Sequence, residues 1–262
     1  MDDKYILFYD SGVGGLSTLS QTLDEVFGQK FIFFADDKNC PYGNKSKDEI
    51  YRLVKGNILH ILDMFDIKII VLACNTATAC AVDKLRREIN VPIVGIEPAI
   101  VPAMKKSRSS HILVLATCVT LSQEKYFKLS KSLSGKIESV KMPNLAVKIE
   151  NHFIKDKRLN IKHEISQIWQ ILKDCPDIDS IVLGCTHYSF IKEKLSAFNI
   201  QIVDGNIGVA KRVKSLLNLS GENVLENKTQ NKVKILLSSE DVYTLKWYTR
   251  LLLRISKNVI IE

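Results

Sequence analysis

The sequence predicts an α/β fold made of two similar domains with mainly parallel sheets. Short apolar segments alternate with amphipathic helical segments along most of the 262 residues, which is typical of successive βαβ units. Several apolar segments are uninterrupted runs of Val, Ile and Leu, and such runs indicate strands buried on both faces. A weak internal repeat indicates two related halves.

The elements follow from these patterns in chain order. Strands are predicted at residues 5–9, 31–34, 67–73, 93–96, 112–116, 139–142, 181–184, 200–203 and 233–237. Helices are predicted at residues 16–27, 47–65, 76–88, 121–133 and 160–173.

The internal repeat relates two pairs of segments. Residues 68–76 resemble residues 179–187, and both run from a buried strand into a cysteine followed by polar residues. Residues 5–11 resemble residues 111–117 in the same way. Two α/β domains that face each other would explain the repeat, and Pro98 and Pro102 interrupt regular structure near the junction. We therefore predict a first domain at 1–97 plus 208–262 and a second at 98–207.

Composition and charge favour an ordinary globular protein. Hydrophobic residues make up 46% and charged residues 25% of the chain. The net charge of +8 could favour an anionic partner, but Arg86-Arg87 and Lys105-Lys106 with Arg108 form no basic stripe, so nucleic acid is disfavoured. The charged residues 1–4 do not resemble a signal peptide, and no stretch approaches the ~18 apolar residues of a membrane span. We predict a cytoplasmic protein without a membrane partner.

The six cysteines stand at positions 40, 74, 80, 118, 175 and 185, and none forms a Cys-x-x-Cys pair. This spacing does not suggest zinc or thioredoxin-like chemistry, and a cytoplasmic location disfavours disulfides. No metal site is predicted. The default interpretation of each cysteine is a small buried hydrophobe.

Polar residues cluster where predicted strands end. Ligands of open α/β sheets bind beyond the carboxyl ends of the strands. The residues in that position are Asp10, Ser11, Cys74, Asn75, Thr117, Cys185, Thr186 and His187. Their shared position makes them the candidate site.

Cys74 and Cys185 occupy matching places in the two halves. Cys74 precedes a predicted helix, whose N-terminus favours a thiolate, and His187 could exchange a proton with Cys185. An inert buried cysteine and a capping or core histidine remain the alternatives. Two opposed thiols suit a reaction in which one base removes a proton from one face of a carbon and one acid returns a proton to the other face.

Two turns add weaker signals. The glycines of the segment 10–15 would let backbone N–H groups approach an anion, or would only form a tight turn. Asp10 could direct a thiol proton or cap the next helix. Pro41-Tyr42-Gly43 reads as a rigid turn whose tyrosine faces a ligand or packs.

Together these residues resemble the glutamate racemases of the aspartate/glutamate racemase superfamily, from residue 10 to about residue 210. The matching segments are Asp10-Ser11-Gly12-Val13-Gly14-Gly15, Pro41-Tyr42-Gly43, Ala73-Cys74-Asn75-Thr76-Ala77, Val94-Gly95-Ile96-Glu97-Pro98 and Leu183-Gly184-Cys185-Thr186-His187. The resemblance implies an isomerase with its active site in the cleft between two α/β domains. It also implies no cofactor, interconversion of L- and D-glutamate for peptidoglycan and cell-wall biogenesis, and a homodimer of unspecified geometry.

The resemblance further implies roles for individual residues. Cys74 would be the base toward D-glutamate, assisted by Asp10, and Cys185 the base toward L-glutamate, assisted by His187. Glu150 resembles an inter-domain glutamate near the second cysteine. The implied substrate ligands and pocket residues are Ser11, Pro41, Tyr42, Gly43, Asn75, Thr76, Thr117, Thr120 and Thr186. Asn39, Ser189 and the segment 239–241 depart from the family pattern.

Three other functions compete with this one. An aspartate racemase would share the chemistry and differ only in the distal pocket. A non-catalytic anion-binding or nucleic-acid-binding protein would account for the positive charge. A decarboxylase or isomerase that uses one cysteine would tolerate the loss of the other. Domain closure that excludes water from the reacting carbon is a further hypothesis.

Overall fold

The computed structural model describes residues 3–219 and 229–262. Its strands are β1 (Tyr5–Asp10), β2 (Lys30–Ala35), β3 (Ile67–Leu72), β4 (Ile93–Gly95), β5 (His111–Ala116), β6 (Lys136–Lys141), β7 (Ser180–Gly184), β8 (Gln201–Asp204), β9 (Asn231–Leu237) and β10 (Val259–Ile261). Its helices are α1 (Gly15–Leu23), α2 (Lys47–Met64), α3 (Asn75–Glu88), α4 (Ile100–Lys106), α5 (Cys118–Leu121), α6 (Glu124–Ser132), α7 (Leu145–Ile154), α8 (Lys162–Asp174), α9 (Lys192–Leu195), α10 (Asn206–Leu219) and α11 (Val242–Ile255).

The strands form two sheets. One has six strands in the order β10-β9-β2-β1-β3-β4, and the other has four in the order β6-β5-β7-β8. Neighbouring strands in both sheets are parallel. All carboxyl ends of one sheet therefore lie at one edge. The predicted α/β fold with two mainly parallel sheets is confirmed.

Helices cover both faces of the six-stranded sheet because its central strands are apolar on both sides. Ile6 and Phe8 of β1 pack in one cluster with α1, α10 and α11. Leu7 of the same strand points to the opposite face and packs with α2 and α3. Burial of such side chains contributes about 1.5–3 kcal/mol each. Two packed faces hold β1 and β3 rigidly at the centre of the sheet.

The four-stranded sheet is built in the same way. Leu113 and Leu115 of β5 pack on one face with α7 and α8. Ile112 and Val114 pack on the other face with α4 and with partly buried residues of α6. The central strands β5 and β7 are buried along their whole length. Their carboxyl ends are therefore fixed in position.

Several predicted elements differ from the observed ones. The helix predicted at 16–27 ends at Leu23. The helix predicted at 121–133 begins only at Glu124, as α6, and the separate short helix α5 ends at Leu121. Gln123 separates them because its backbone is extended and its side chain donates a 2.9 Å hydrogen bond to the Val119 carbonyl. Pro102 does not interrupt structure. It lies in the first turn of α4, where a missing N–H is tolerated.

The strand β10 and the helices α4, α5, α7, α9, α10 and α11 were not predicted. Residues 231–261 join the six-stranded sheet, where β9 pairs with β2. This topology agrees with a return of the chain to the first half, and the domain boundaries after residues 97 and 207 stay a prediction. Within residues 3–219 and 229–262, no helix has the length and apolarity that a membrane crossing requires.

Candidate active site

The carboxyl edges of the two sheets face each other, and the predicted site residues meet there. Asp10 is the last residue of β1, and Cys74 follows the adjacent strand β3. Cys185 follows β7 of the other sheet. Several hydrogen bonds join the halves directly, and two of them involve threonines of the site. Thr186 Oγ1 donates to Asp10 Oδ2 over 2.9 Å, and the hydroxyls of Thr76 and Thr117 lie 3.1 Å apart.

Cys74 is the N-terminal capping residue of α3. Its Sγ accepts a hydrogen bond from the Ala77 backbone N–H over 3.5 Å and lies 3.7 Å from Ser11 Oγ. The side chain is buried. Burial, followed by the neighbouring Asp10 carboxylate, raises the pKa of this thiol, and the helix N–H only partly opposes the shift. The N-terminus of α3 does favour the thiolate as predicted, but burial and the Asp10 charge outweigh it in this closed arrangement.

Cys185 has different surroundings. A 3-10 helix (Thr186–Ile191) follows it rather than an α-helix, and its side chain makes no capping hydrogen bond within the described residues. The predicted match to the setting of Cys74 is therefore only partial. Its Sγ lies 3.9 Å from His187 Nδ1 instead. The neighbour of the Cys185 thiol is therefore the buried His187 ring, whereas the Cys74 thiol is contacted by a backbone N–H group.

His187 and Glu150 form a buried pair beside Cys185. His187 Nε2 lies 2.7 Å from Glu150 Oε2, and this same oxygen accepts a 2.9 Å hydrogen bond from the Val13 backbone N–H of the other half. Burial lowers the pKa of His187, but hydrogen bonds with Cys185, Cys40 and Glu150 outweigh it and raise the pKa well above its usual value. The protonated form of the ring is therefore favoured beside Cys185.

Asp10 is fully buried between the two cysteine environments. Its Oδ1 accepts from the Gly12 backbone N–H over 2.8 Å and from Ser11 Oγ over 3.3 Å, and its Oδ2 accepts from Thr186. Burial raises the pKa of Asp10 to about 6, although the nearby His187 charge lowers it. Within the described residues, Asp10 does not cap α1, which lacks a side-chain cap. Its interactions are those of a proton-sharing group.

Two N–H groups of the glycine segment bind side chains of the protein rather than an external anion. The Gly12 and Val13 N–H groups bind the carboxylates of Asp10 and Glu150. A Cβ on Gly14 would lie 2.5 Å from Thr186 Oγ1 and 2.7 Å from the His187 backbone nitrogen. The glycines are needed because the other half packs directly against this loop.

Three threonines and Asn75 extend the site beyond Cys74. Thr117 Oγ1 donates to Thr120 Oγ1 over 3.0 Å and so continues the link from Thr76. Asn75 is buried, yet neither its amide nitrogen nor its amide oxygen has a hydrogen-bond partner among residues 3–219 and 229–262. Asn75 and Thr120 line a cavity of about 280 Å³ between the halves. A buried unpaired amide of this kind is expected to bind a polar ligand.

The Pro41-Tyr42-Gly43 turn lies on the same side of the site. Tyr42 is fully buried, with its hydroxyl hydrogen-bonded to Asp36 and to Tyr9. The ring therefore anchors the turn in the core rather than facing a ligand. Gly43 lies beside Thr117, because a Cβ on it would be 3.5 Å from the Thr117 Cβ.

Two residues of this site were not predicted. A Cβ on Gly12 would lie 2.8 Å from Cys40 Sγ and closer still to Glu150, so Cys40 belongs to the pair around His187. Burial raises the pKa of Cys40 to about 12. Its place directly before Pro41 was a usable signal. Tyr248 of α11 donates a 3.0 Å hydrogen bond to Glu150 Oε1, and no local signal marks a residue so distant in sequence.

Cys40, Glu150 and His187 each offer a ligand atom within 4.8 Å of the others, a spacing that a metal ion could use. These atoms are already engaged, because Glu150 Oε2 holds both His187 and the Val13 N–H. The site as a whole is better suited to acid–base chemistry. It places two buried thiols on opposite sheets, one beside a carboxylate and one beside an imidazolium.

Comparisons with known proteins agree with this geometry. Residues 10–213 match the Asp/Glu/Hydantoin racemase family. A glutamate racemase of Clostridium novyi is 39% identical over 218 residues, which cover 80% of this chain and 82% of the relative. One of Clostridium acetobutylicum is 36% identical over 254 residues, covering 93% and 95%. The crystal structure of the glutamate racemase isoform RacE1 from Bacillus anthracis has a TM-score of 0.79 at 25% identity, covering 100% of this chain and 98% of that one.

Proposed function

The chain belongs to the Asp/Glu/Hydantoin racemase family, and we propose that it interconverts L- and D-glutamate with Cys74 and Cys185 as acid and base. The proposal carries over to this chain the activity by which its curated relatives are named. The reaction needs no cofactor in this scheme. Its product D-glutamate would serve peptidoglycan synthesis.

One observation carries the proposal. Two buried thiols extend from the carboxyl edges of opposite sheets, and each has its own proton-sharing partners. Inversion of an α-carbon requires proton removal on one face and proton delivery on the other. An arrangement with one thiol would not meet this requirement.

The proposed steps balance in protons. Toward L-glutamate, the Cys74 thiolate takes the α-proton of D-glutamate, and the Cys185 thiol delivers a proton to the opposite face of the resulting carbanion. Toward D-glutamate, Cys185 takes the proton and Cys74 delivers one. Asp10 would accept or return a proton beside Cys74, and His187, held by Glu150, would do so beside Cys185.

The remaining site residues are proposed to hold the substrate. The unpaired Asn75 amide and the linked hydroxyls of Thr76, Thr117 and Thr120 offer hydrogen bonds to a carboxylate. Ser11 and Thr186 lie next to the reacting thiols and Asp10 and are suited to the α-amino group. Pro41, Tyr42 and Gly43 would shape the pocket through their backbone, since the Tyr42 ring is buried beneath it.

Circular dichroism of D-glutamate mixed with the purified enzyme, without added cofactor, tests the proposal directly. We expect the optical signal to decay to zero, while D-aspartate is left unchanged. In D₂O the new L-glutamate should carry deuterium at the α-carbon, because an exchanged thiol delivers that proton. Decay with aspartate alone would make the substrate assignment wrong. Stable signals with both amino acids in a folded sample would favour the binding-protein alternative.

Cysteine variants distinguish a mechanism that uses two cysteines from one that uses a single cysteine. Cys74→Ala and Cys185→Ala should each lower kcat/KM by at least the ~10²–10⁴-fold that a positioned acid or base contributes. The loss must be equal in both directions, because the equilibrium constant between enantiomers is one. Cys80→Ala, which changes a cysteine elsewhere on α3, is the matched control. Near wild-type racemisation by either site variant would favour the single-cysteine alternative.

A homodimer and a cytoplasmic location complete the proposal. Both rest on the resemblance to the family. Light scattering coupled to size-exclusion chromatography should give twice the 29.6 kDa chain mass. A monomer that racemises glutamate at full rate would exclude the dimer while leaving the chemistry intact.

A further inference from the structure

A second group of chemically reactive side chains lies at the opposite end of the four-stranded sheet. His111 begins β5, whereas the catalytic residues follow the carboxyl ends of the strands. Glu138 lies on the neighbouring strand β6, and Cys175 ends helix α8. None of these residues takes part in the proposed racemisation. We propose that His111, Glu138 and Cys175 form a binding site for Zn²⁺.

The spacing of the ligand atoms is close to that of a zinc site. A ring nitrogen of His111, the Cys175 Sγ and a Glu138 carboxylate oxygen all lie within 4.8 Å of one another. Bond lengths of 2.0–2.3 Å to tetrahedral zinc place ligand atoms about 3.3–3.8 Å apart. His111 Nε2 already lies 3.7 Å from Glu138 Oε1. The partly exposed side chains of Cys175 and Glu138 are the ones that would move to complete the contacts.

The state of His111 provides a second, independent observation. His111 is 3% exposed, and its Nε2 has no hydrogen-bond partner among the residues that the structure describes. Buried polar atoms without partners are rare in folded proteins. A metal ion on Nε2 would satisfy the nitrogen that faces Glu138.

Asp177 contacts the ring nitrogen of His111 that would not bind the zinc ion. Its Oδ2 lies 2.9 Å from His111 Nδ1, on the other ring nitrogen from Glu138. Histidine ligands of zinc commonly hold a carboxylate on their second nitrogen, and this contact fixes the tautomer and the ring orientation. The chain thus supplies a nitrogen, a sulfur and an oxygen ligand, a set that suits zinc better than magnesium or calcium. A water molecule would take the fourth position.

The backbone around the site is rigid. Cys175 N–H donates to the Ile171 carbonyl at the end of α8 over 2.8 Å, and the Cys175 carbonyl accepts from the Ile178 N–H over 3.1 Å. Bound zinc would join β5, β6 and the α8–β7 connection. Because ion binding to the folded state alone stabilises that state, zinc should raise the Tm while leaving racemisation unchanged.

The sequence did not indicate this site, because its ligands come from residues 111, 138 and 175. A zinc site is usually recognised by closely spaced cysteines and histidines. Here the parallel pairing of β5 with β6 and β7 brings distant residues together. The racemase proposal neither requires this site nor depends on it.

Zinc binding is measured on the full-length, reduced chain after removal of metals with a chelator. When zinc is added back, we expect the wild type to bind it and Cys175→Ser to bind about one equivalent less. Cys80→Ser and Cys40→Ser serve as matched controls for a helical cysteine and for the catalytic cluster. Cobalt in place of zinc should give a thiolate charge-transfer band that Cys175→Ser removes. Zinc at roughly a hundredfold excess over its Kd should raise the Tm by about 5–10 °C.

Alkylation of the wild type locates the ion without any substitution. Zinc should slow the modification of Cys175 by iodoacetamide and leave Cys80 unaffected, as read by peptide mass spectrometry. Glu138→Gln, at a half-exposed position that tolerates change, should weaken the protection. The proposal is wrong if the wild type binds no zinc or if Cys175→Ser binds as much as wild type. It is also wrong if only Cys40→Ser loses the ion, because the metal then sits at the catalytic cluster.

Discussion

Asp10 is a residue of the site whose buried carboxyl group lowers the stability of the folded protein at neutral pH. Its carboxyl group is fully buried, and burial raises its pKa from 3.8 to about 6. Between about pH 4 and pH 6 the folded state therefore holds a proton that the unfolded state has released. The free energy of unfolding must fall as the pH rises through this window. At neutral pH the cost is about 3 kcal/mol at most, from 1.36 kcal/mol per pKa unit.

Asp10→Asn should therefore make the protein more stable and less active. Asparagine keeps an oxygen for the Gly12 N–H and removes the buried charge. We expect urea denaturation at pH 7.5 to show a gain of about 1–3 kcal/mol, which disappears near pH 4, together with a loss of racemisation. Asp83→Asn at an exposed position of α3 should change stability by less than about 0.5 kcal/mol. A less stable Asp10→Asn protein at pH 7.5 would contradict this account.

Glu150 is expected to act through the charge of His187. The carboxylate holds His187 Nε2 at 2.7 Å and contributes to the raised pKa of the imidazole. If the imidazolium is needed, racemisation falls as the pH rises through that pKa. Glu150→Gln removes the charge and should move this alkaline limb of kcat/KM to lower pH by about 1–3 units.

Tyr248→Phe is the matched control for the Glu150 variant. It removes the 3.0 Å hydrogen bond to Glu150 Oε1 but keeps the carboxylate charge. The alkaline limb should stay close to its wild-type position, although the rate falls. If Glu150→Gln lowered the rate without moving the limb, Glu150 would have only a structural role.

At the scale of elements, the loop between β1 and α1 sets how closely the two halves approach. A Cβ on Gly14 would lie within 3 Å of atoms of both Thr186 and His187, so Gly14→Ala has to push the 3-10 helix after β7 away. Misplacement of a catalytic group by about 1 Å costs roughly 10²-fold in rate. We expect a loss of that size in kcat/KM with an unchanged far-ultraviolet circular dichroism spectrum.

Gly56→Ala provides the comparison. Gly56 lies on the exposed side of α2, and a Cβ there would meet nothing within 4 Å. The substitution should stabilise the protein by about 0.5–1 kcal/mol with full activity. Equal activities of the two glycine variants would show that the contact between the loop and the 3-10 helix is dispensable.

The sequence predicted elements that depend on local pattern and missed those that depend on the other half. Asp10 and Cys74 could be placed together because parallel strands end at one edge of a sheet, and Cys185 could be placed opposite them because the internal repeat indicated a second, facing domain. Tyr248 could not, because its contact with Glu150 depends on how α11 packs against α7. The glycine loop was predicted either to approach an anion or to form a tight turn, because the residues that pack against it, Thr186 and His187, lie about 170 residues away. Pro102 was predicted to interrupt structure because proline usually breaks a helix. Helix α4 starts only two residues before it, and proline is tolerated in the first turn.

At the scale of the whole molecule, the two sheets meet in a closed arrangement. Hydrogen bonds from Ser17 to the Thr186 carbonyl and from Thr18 to Asn206 join the halves next to the site. Cys74 and Cys185 are 6% and 7% exposed. We therefore expect glutamate to reach the thiols only when the halves separate. Closure would then remove water from around the reacting carbon.

This requirement for opening can be measured through the cysteines. Under native conditions the partly exposed Cys80, Cys118 and Cys175 should react quickly with a thiol reagent, and Cys74 and Cys185 should react slowly, as identified by mass spectrometry. D-Glutamate should slow the last two further, because bound substrate favours the closed state. Gly14→Ala should speed both, because the halves no longer close fully. If Cys74 and Cys185 react as fast as Cys80 and glutamate gives no protection, opening does not control access, and the rate of racemisation has to be set by the chemical step or by product release.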